Sequence, residues 1–217
     1  DFHGGLWETF RNTKLNAVPY FSKTTPGPVN TFTNGLPRKP QWNSNDFDAH
    51  LGGRILRDKS FFFLSYLGYR RRQGVSLSAT VPNDAQRAAI MASGTEAAKK
   101  LLQLIPQAST GNTLFAVPSN ARDTDQGLAK WNHSLSQKNQ LAFTYVIDYM
   151  WLDNVPDAFG GTTIPGFGAT GKNKFQNAIL RDTHTFTPTL LNEFRASFHR
   201  RGSDSVIPLN RTKLSSL

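Results

Sequence analysis

Cysteine is absent from the 217 residues, so neither a disulfide framework nor a thiolate metal site contributes. No apolar run reaches the roughly 18 residues that a membrane-spanning helix needs. Apolar content is only 38% and mean hydropathy −0.44, below the ordinary globular range. A low mean is compatible with a membrane β-barrel, whose strands alternate apolar and polar residues. Acid is also in short supply. Against 25 basic residues stand 15 acidic ones, a net charge of +10, which points to a solvated surface, to nucleic acid or to an anionic membrane surface.

Catalytic signatures are missing too. There is no HExxH and no serine in a G-x-S-x-G elbow, so hydrolytic chemistry has no footing and the chain is expected not to be an enzyme. The histidines His3, His50, His133, His184 and His199 fall on separate strands without an i, i+4 pair, so no metal site is expected. Gly166 to Gly171, GFGATG, matches a dinucleotide pattern. Thr162-Thr163-Ile164-Pro165 stands before it and a β-like run after it, so a loop is predicted and no cofactor. Asp123 and Asp125 are read as turn hydrogen-bonders. Basic and aromatic residues do not interleave in sequence, which argues against single-stranded nucleic acid as a partner.

What the chain has in quantity is aromatic residues, 16 Phe, 5 Tyr and 4 Trp, and they are patterned. Phe47 to Arg72 reads as a β-hairpin with a turn at Leu56–Lys59. Phe62, Leu64, Tyr66 and Gly68 take one face of its second strand, and Phe61, Phe63, Ser65, Leu67 and Tyr69 the other. Three consecutive Phe together with Gly68 and Gly74 disfavour a helix. The run then breaks into Arg70-Arg71-Arg72. A strand of about nine or ten residues with aromatic ends and charge beyond is what crossing a bilayer requires.

Taken in order, Phe2–Asn12 is a strand of ambiguous facing, and Lys14–Asn45 a Pro- and Asn-rich loop. After an extended Val75–Val81, Asn83 and Thr95 cap two short helices inside a large loop, with Gln86 in capping-box position. Strands come next at Asp123–Leu135 and Gln140–Trp151, joined by a turn at Ser136–Asn139. Leu141, Phe143, Tyr145, Ile147 and Tyr149 there alternate with Ala142, Thr144, Val146 and Asp148. A Gly-rich loop at Asp153–Asn173 leads to strands at Phe175–Phe186 and Leu190–Arg201, joined by Thr187–Thr189. In the last strand Phe194, Ala196 and Phe198 oppose Glu193, Arg195, Ser197 and His199.

Every second connection is short, and the three between, Lys14–Asn45, Ser76–Arg122 and Asp153–Asn173, are long. Short turns on one rim and long loops on the other mark outer-membrane barrels, whereas a soluble sandwich has no reason to alternate so strictly. The fold expected is therefore all-β, a partial transmembrane antiparallel up-and-down β-barrel of about seven strands with long extracellular loops, one holding short helices. Basic residues collect at the predicted long-loop rim: Arg70, Arg71, Arg72, Lys172, Lys174, Arg200 and Arg201. They are candidate contacts for the phosphates of outer-leaflet lipopolysaccharide, the alternative being solvated rim charge. Asp1 is not a start residue, so the chain is expected to be a piece of a longer one, with any export signal upstream.

The ordered set DFHGGLWETFRN, LGGRILRDKSFFFLSYLGYRRRQ, ATVPNDAQRA, DTDQGLAKWNHSLSQKNQLAFTYV and THTFTPTLLNEFRASFHR resembles the barrel segments of TonB-dependent receptors. The nearest branch is the large Oar-like receptors that often carry a carboxypeptidase-regulatory-like domain. The resemblance covers nearly all of 1–217. It implies a Gram-negative outer-membrane barrel of about 22 strands with a plugged lumen, energised through the TonB complex, of which this chain supplies the first strands. Plug and remaining strands would lie outside it. Leu67 stands where the family leads one to expect an acid, and Asp182 where an aromatic is frequent. On this reading ligand is captured by loop residues Tyr20, Phe21, Trp42, Trp151 and Phe167 and by lumen residues Glu193 and Arg195. Rival readings are a passive porin-like or structural barrel and a soluble all-β carbohydrate-binding domain.

Overall fold

The computed structural model describes residues 1–18, 20, 39, 41–75, 77–155 and 164–206. Seven long strands form one sheet: β1 (Phe2–Asn12), β2 (Trp42–Leu56), β3 (Ser60–Gly74), β6 (Ser119–Ser136), β7 (Asn139–Val155), β8 (Ala169–Thr187) and β9 (Leu190–Val206). Each pairs antiparallel with its neighbours in chain order. The sheet stays open, because β1 and β9 do not pair with one another.

The three short connections lie where the sequence places them. At the first, Asp58 adopts φ 56°, a left-handed conformation that a short Asx side chain tolerates, and Lys59 N–H donates to the Leu56 carbonyl. At the second, Lys138 N–H donates to Ser136 Oγ. At the third, Thr189 N–H donates to Thr187 Oγ1.

Strand boundaries are a different matter. β2 begins at Trp42 rather than Phe47, β6 at Ser119 rather than Asp123, and β8 at Ala169 rather than Phe175. β9 runs on to Val206. The longest strand has 19 residues, whereas crossing a bilayer takes about 9–11. The surplus lies at the long-loop end. Polar strands in water show no apolar alternation, so nothing in the sequence marks their length. Ala169–Gly171 accordingly belongs to β8, and its backbone is spent on pairing with β7 and β9 and not on cradling phosphate.

The β3–β6 connection is a small unit of its own. β4 (Leu77–Thr80) pairs with β5 (Thr113–Ala116), and between them lie α1 (Asp84–Ser93) and α2 (Glu96–Leu104). Asn83 caps α1 in a complete capping box with Gln86, and Thr95 caps α2. Arg87 donates to the carbonyl of Leu102 in the last turn of α2 and to those of Ile105 and Pro106 beyond it. Val81, Leu102 and Leu114 are buried here.

The main sheet, by contrast, leaves most of its large apolar side chains among the described residues uncovered. Leu6 is 83% exposed, and Phe194 and Phe198 58% each. A sheet of this breadth with large apolar groups uncovered needs a partner other than its own chain.

Candidate functional site

Cross-strand partners share a face, so the registers sort every strand residue. One face carries Phe2, Gly4 and Leu6 of β1, Phe47, Ala49 and Leu51 of β2, and Phe62, Leu64 and Tyr66 of β3. It continues through Trp131, Ala129 and Gly127 of β6, Phe143, Tyr145 and Ile147 of β7, Leu180 and Ala178 of β8, and Phe194, Ala196 and Phe198 of β9. This is an apolar band seven strands wide, interrupted by Glu8 opposite Phe47 and by Asp182 opposite Phe194. The pairing of β1 with β2 also settles which way β1 faces. Two glycines in the band lie under rings: a Cβ on Gly68 would collide with Phe47, and one on Gly53 with Phe2. Ala49, Gly127 and Ala129 floor a shallow apolar groove of about 470 Å³ walled by Leu6, Leu51, Leu64, Tyr145 and Ile147.

Toward the long-loop rim the same face turns aromatic and then charged. Arg70 lies over Phe47 at 5.6 Å, Lys174 over Tyr149 at 5.0 Å and Lys172 over Trp151 at 5.0 Å. Arg72 makes a two-pronged ion pair with Asp123 at 2.5 and 2.9 Å, and Arg70 pairs with Asp125, which also accepts from Tyr66. Asp123 and Asp125 are therefore partners of strand arginines, not turn residues. Sequence spacing conceals this, since the partners are 51 and 55 residues apart.

The edge of the band is oblique. Arg70 pairs with Asp123, Asp123 with Trp151, Trp151 with Lys172 and Lys172 with Asp204. Yet the first charge on this face of β9 is Arg200, four residues lower than Asp204, so the boundary descends four residues over four strand steps. At about 3.3 Å per residue and 4.8 Å per strand, the strands tilt about 35° from the normal to that boundary, the inclination of a membrane barrel. Glu8 of β1 falls below this line.

The other face is mixed and polar. It holds Asp46, Asp48 and His50, Arg71, Lys130, Gln126 and Arg122, Asp148, Arg181, Glu193, Arg195, His199 and Arg201. Asp48 accepts from Ser65 and pairs with His50 at 2.9 Å. Among the described residues no three His, Asp or Glu converge as metal ligands would.

The model of one family, described as Outer membrane beta barrel domain, matches residues 1–216. The chain belongs to that family. No curated protein and no solved structure gives a significant match. The outer-membrane barrel thus sits in the bacterial outer membrane, its apolar face against lipid and its polar face toward the lumen.

The rim cations were expected at the long-loop rim, with only Arg200 and Arg201 inside a predicted strand; all seven lie within β3, β8 and β9. Alternation divides them: Arg70, Arg72, Lys172, Lys174 and Arg200 point to lipid, Arg71 and Arg201 to the lumen. Trp42 and Trp151 are strand residues, not loop residues. Trp42 opens β2 on the lumen face under the Arg11 guanidinium at 4.3 Å, while Trp151 faces lipid. Tyr20 is exposed, Phe21 lies outside the described residues, and Phe167 closes a turn to the Ile164 carbonyl before β8. Glu193 and Arg195 form a lumen-side pair at 2.9 Å near the short-turn rim. Cations and aromatics separated in sequence are thus interleaved in space.

Proposed function

We propose that the chain supplies barrel wall and extracellular loops of a TonB-dependent active-transport receptor, a non-catalytic protein that moves a ligand through a plugged lumen. The observation that carries this reading is the charged inner wall. Each strand packs closely only against its sequence neighbours, and charged side chains run across the full lumen face. In a barrel of about eight strands opposing inward side chains meet and fill the interior. The resemblance of the strand motifs to TonB-dependent receptors supports the same conclusion. The full-length protein in planar bilayers should be electrically silent and should retain the periplasmic domain of TonB on a column. Steady stepwise conductance without TonB retention would make it a passive channel instead.

On the lipid side, Lys172, Lys174 and Arg200 engage outer-leaflet lipopolysaccharide. They lie on adjacent strands above the apolar band, and none makes an ion pair among the described residues. Arg70 and Arg72 contribute less, being neutralised by Asp125 and Asp123. Replacing Lys172, Lys174 and Arg200 by Gln should lower the lipid A that co-purifies with the barrel, while replacing Arg70 and Arg72 should lower it less. Equal retention by both variants would refute the assignment.

A further inference from the structure

Arg71 of β3 and Arg122 of β6 are direct cross-strand partners on the lumen face. Directly opposed side chains have Cβ atoms about 5 Å apart, and like charges there repel. Tertiary structure usually answers such a pair with a carboxylate, as it does one residue away for Arg70 and Arg72. Here, among the described residues, neither guanidinium has an ion pair, and Nε of each is buried without a hydrogen-bond partner. Arg122 rests against the Tyr69 ring at 5.9 Å.

The surroundings repeat the pattern. Of the ten buried side-chain polar atoms without a partner, seven belong to Trp42, Asp46, Arg71, Asn120, Arg122, Thr124 and Asn173. All seven residues face the lumen near the long-loop end, on four of the seven strands. The other three, on His133, Asn139 and Asp182, sit on the opposite face at the short-turn end. The deficit is therefore concentrated where a solute entering between the loops first meets the wall. Asp46, the one carboxylate beside the pair, is one step diagonal to Arg71 and nearer the membrane centre. It does not answer either arginine, and the next residues outward on that face, Gln73 and Asn120, carry no charge.

We propose that Arg71 and Arg122 form an oxyanion-binding site on the lumen wall that takes the carboxylate or phosphate group of a small anionic solute. Two guanidinium forks side by side present parallel N–H donors to the several oxygens of one such group. Thr124 and Asn120 add a hydroxyl and an amide at the flanks. The assignment names the substrate class of the proposed receptor and rests on that reading for its role in transport, though not for the binding itself.

The test is calorimetric titration of the full-length barrel in detergent with citrate, with inorganic phosphate and with neutral maltose. Wild type should bind citrate or phosphate and not maltose, and which of the two anions binds tells carboxylate from phosphate. Arg71→Gln and Arg122→Gln should each weaken binding about tenfold or more. Arg71→Lys, which keeps the charge and loses the fork, should fall between. Arg54→Gln and Lys130→Gln, on the same face but far from the pair, should bind as wild type. Because removal of one arginine relieves repulsion, Arg122→Gln should also melt no lower than wild type without anion. Binding of neither anion by wild type, or equal loss in Lys130→Gln, would overturn the site. Anion binding by a barrel that conducts freely and ignores TonB would leave the site standing and remove the transport reading.

Discussion

Neighbouring residues on β7 offer the sharpest test of which face meets lipid. Val146 is the midpoint of the run from Leu141 to Trp151, and Ile147 is the next residue, on the opposite face. Ten residue steps at about 3.3 Å, inclined about 35°, span about 27 Å, close to the height of a barrel's apolar band. Ile147 therefore sits within about 3 Å of the bilayer midplane, where an arginine facing lipid costs about 2–4 kcal/mol. Its flanking partners are Gly127 and Gln176, which provide no carboxylate to soften that cost. Val146→Arg would point into a wet lumen beside Asp148 and should change stability by no more than about 1 kcal/mol. The assay is guanidinium unfolding of the full-length protein in phospholipid vesicles. Ile147→Arg should reduce the folded-to-unfolded ratio by a factor of roughly 30 to 900. Equal costs for the two variants would refute the sidedness. A larger cost for Val146→Arg would mean that the two faces had been assigned the wrong way round.

Other perturbations probe local features. Gly68→Ala should cost about 1–3 kcal/mol by displacing the Phe47 ring, and much less in a Phe47→Ala background, as a double-mutant cycle in the same vesicles would show. Asp58→Val should cost about 1–2 kcal/mol because a β-branched residue resists the left-handed conformation, whereas Asp58→Gly should fold as wild type. Arg72 and Asp123 are 44% and 32% exposed, so their coupling in a mutant cycle should be only about 0.5–1 kcal/mol and should weaken with salt. Arg87→Ala should strip the α2 terminus of its donors and speed tryptic cleavage at Lys99 and Lys100 while leaving heat-modifiable gel mobility unchanged.

How much could be read in advance depends on how local each signal was. The capping box at Asn83 and Gln86, the turn at Ser136–Asn139 and the faces of β3 and β7 all rest on residues within a few positions of one another. They emerged as expected. Strand ends in water, the β4–β5 pairing and the ion pairs of Arg70 and Arg72 did not, because each depends on a segment distant in the chain. The apparent segregation of aromatic and basic residues was a property of linear order. Lys172 reaches Trp151 only because β7 and β8 pair in one particular register.

The sequence by itself determined which residues alternate, where the chain reverses in a short turn, and that one face of the strands is apolar. Backbone geometry imposes a period of two, and turn chemistry spans about four residues, so both are written locally. Only tertiary structure decided which alternating sets join into a common face, how far the strands outrun the bilayer, and which cations are answered by acids. Register is a relation between strands, and a one-residue slip would exchange lipid for lumen at every position. That relation assigns Arg72 a carboxylate and leaves Arg71, its immediate neighbour, facing the lumen beside another arginine.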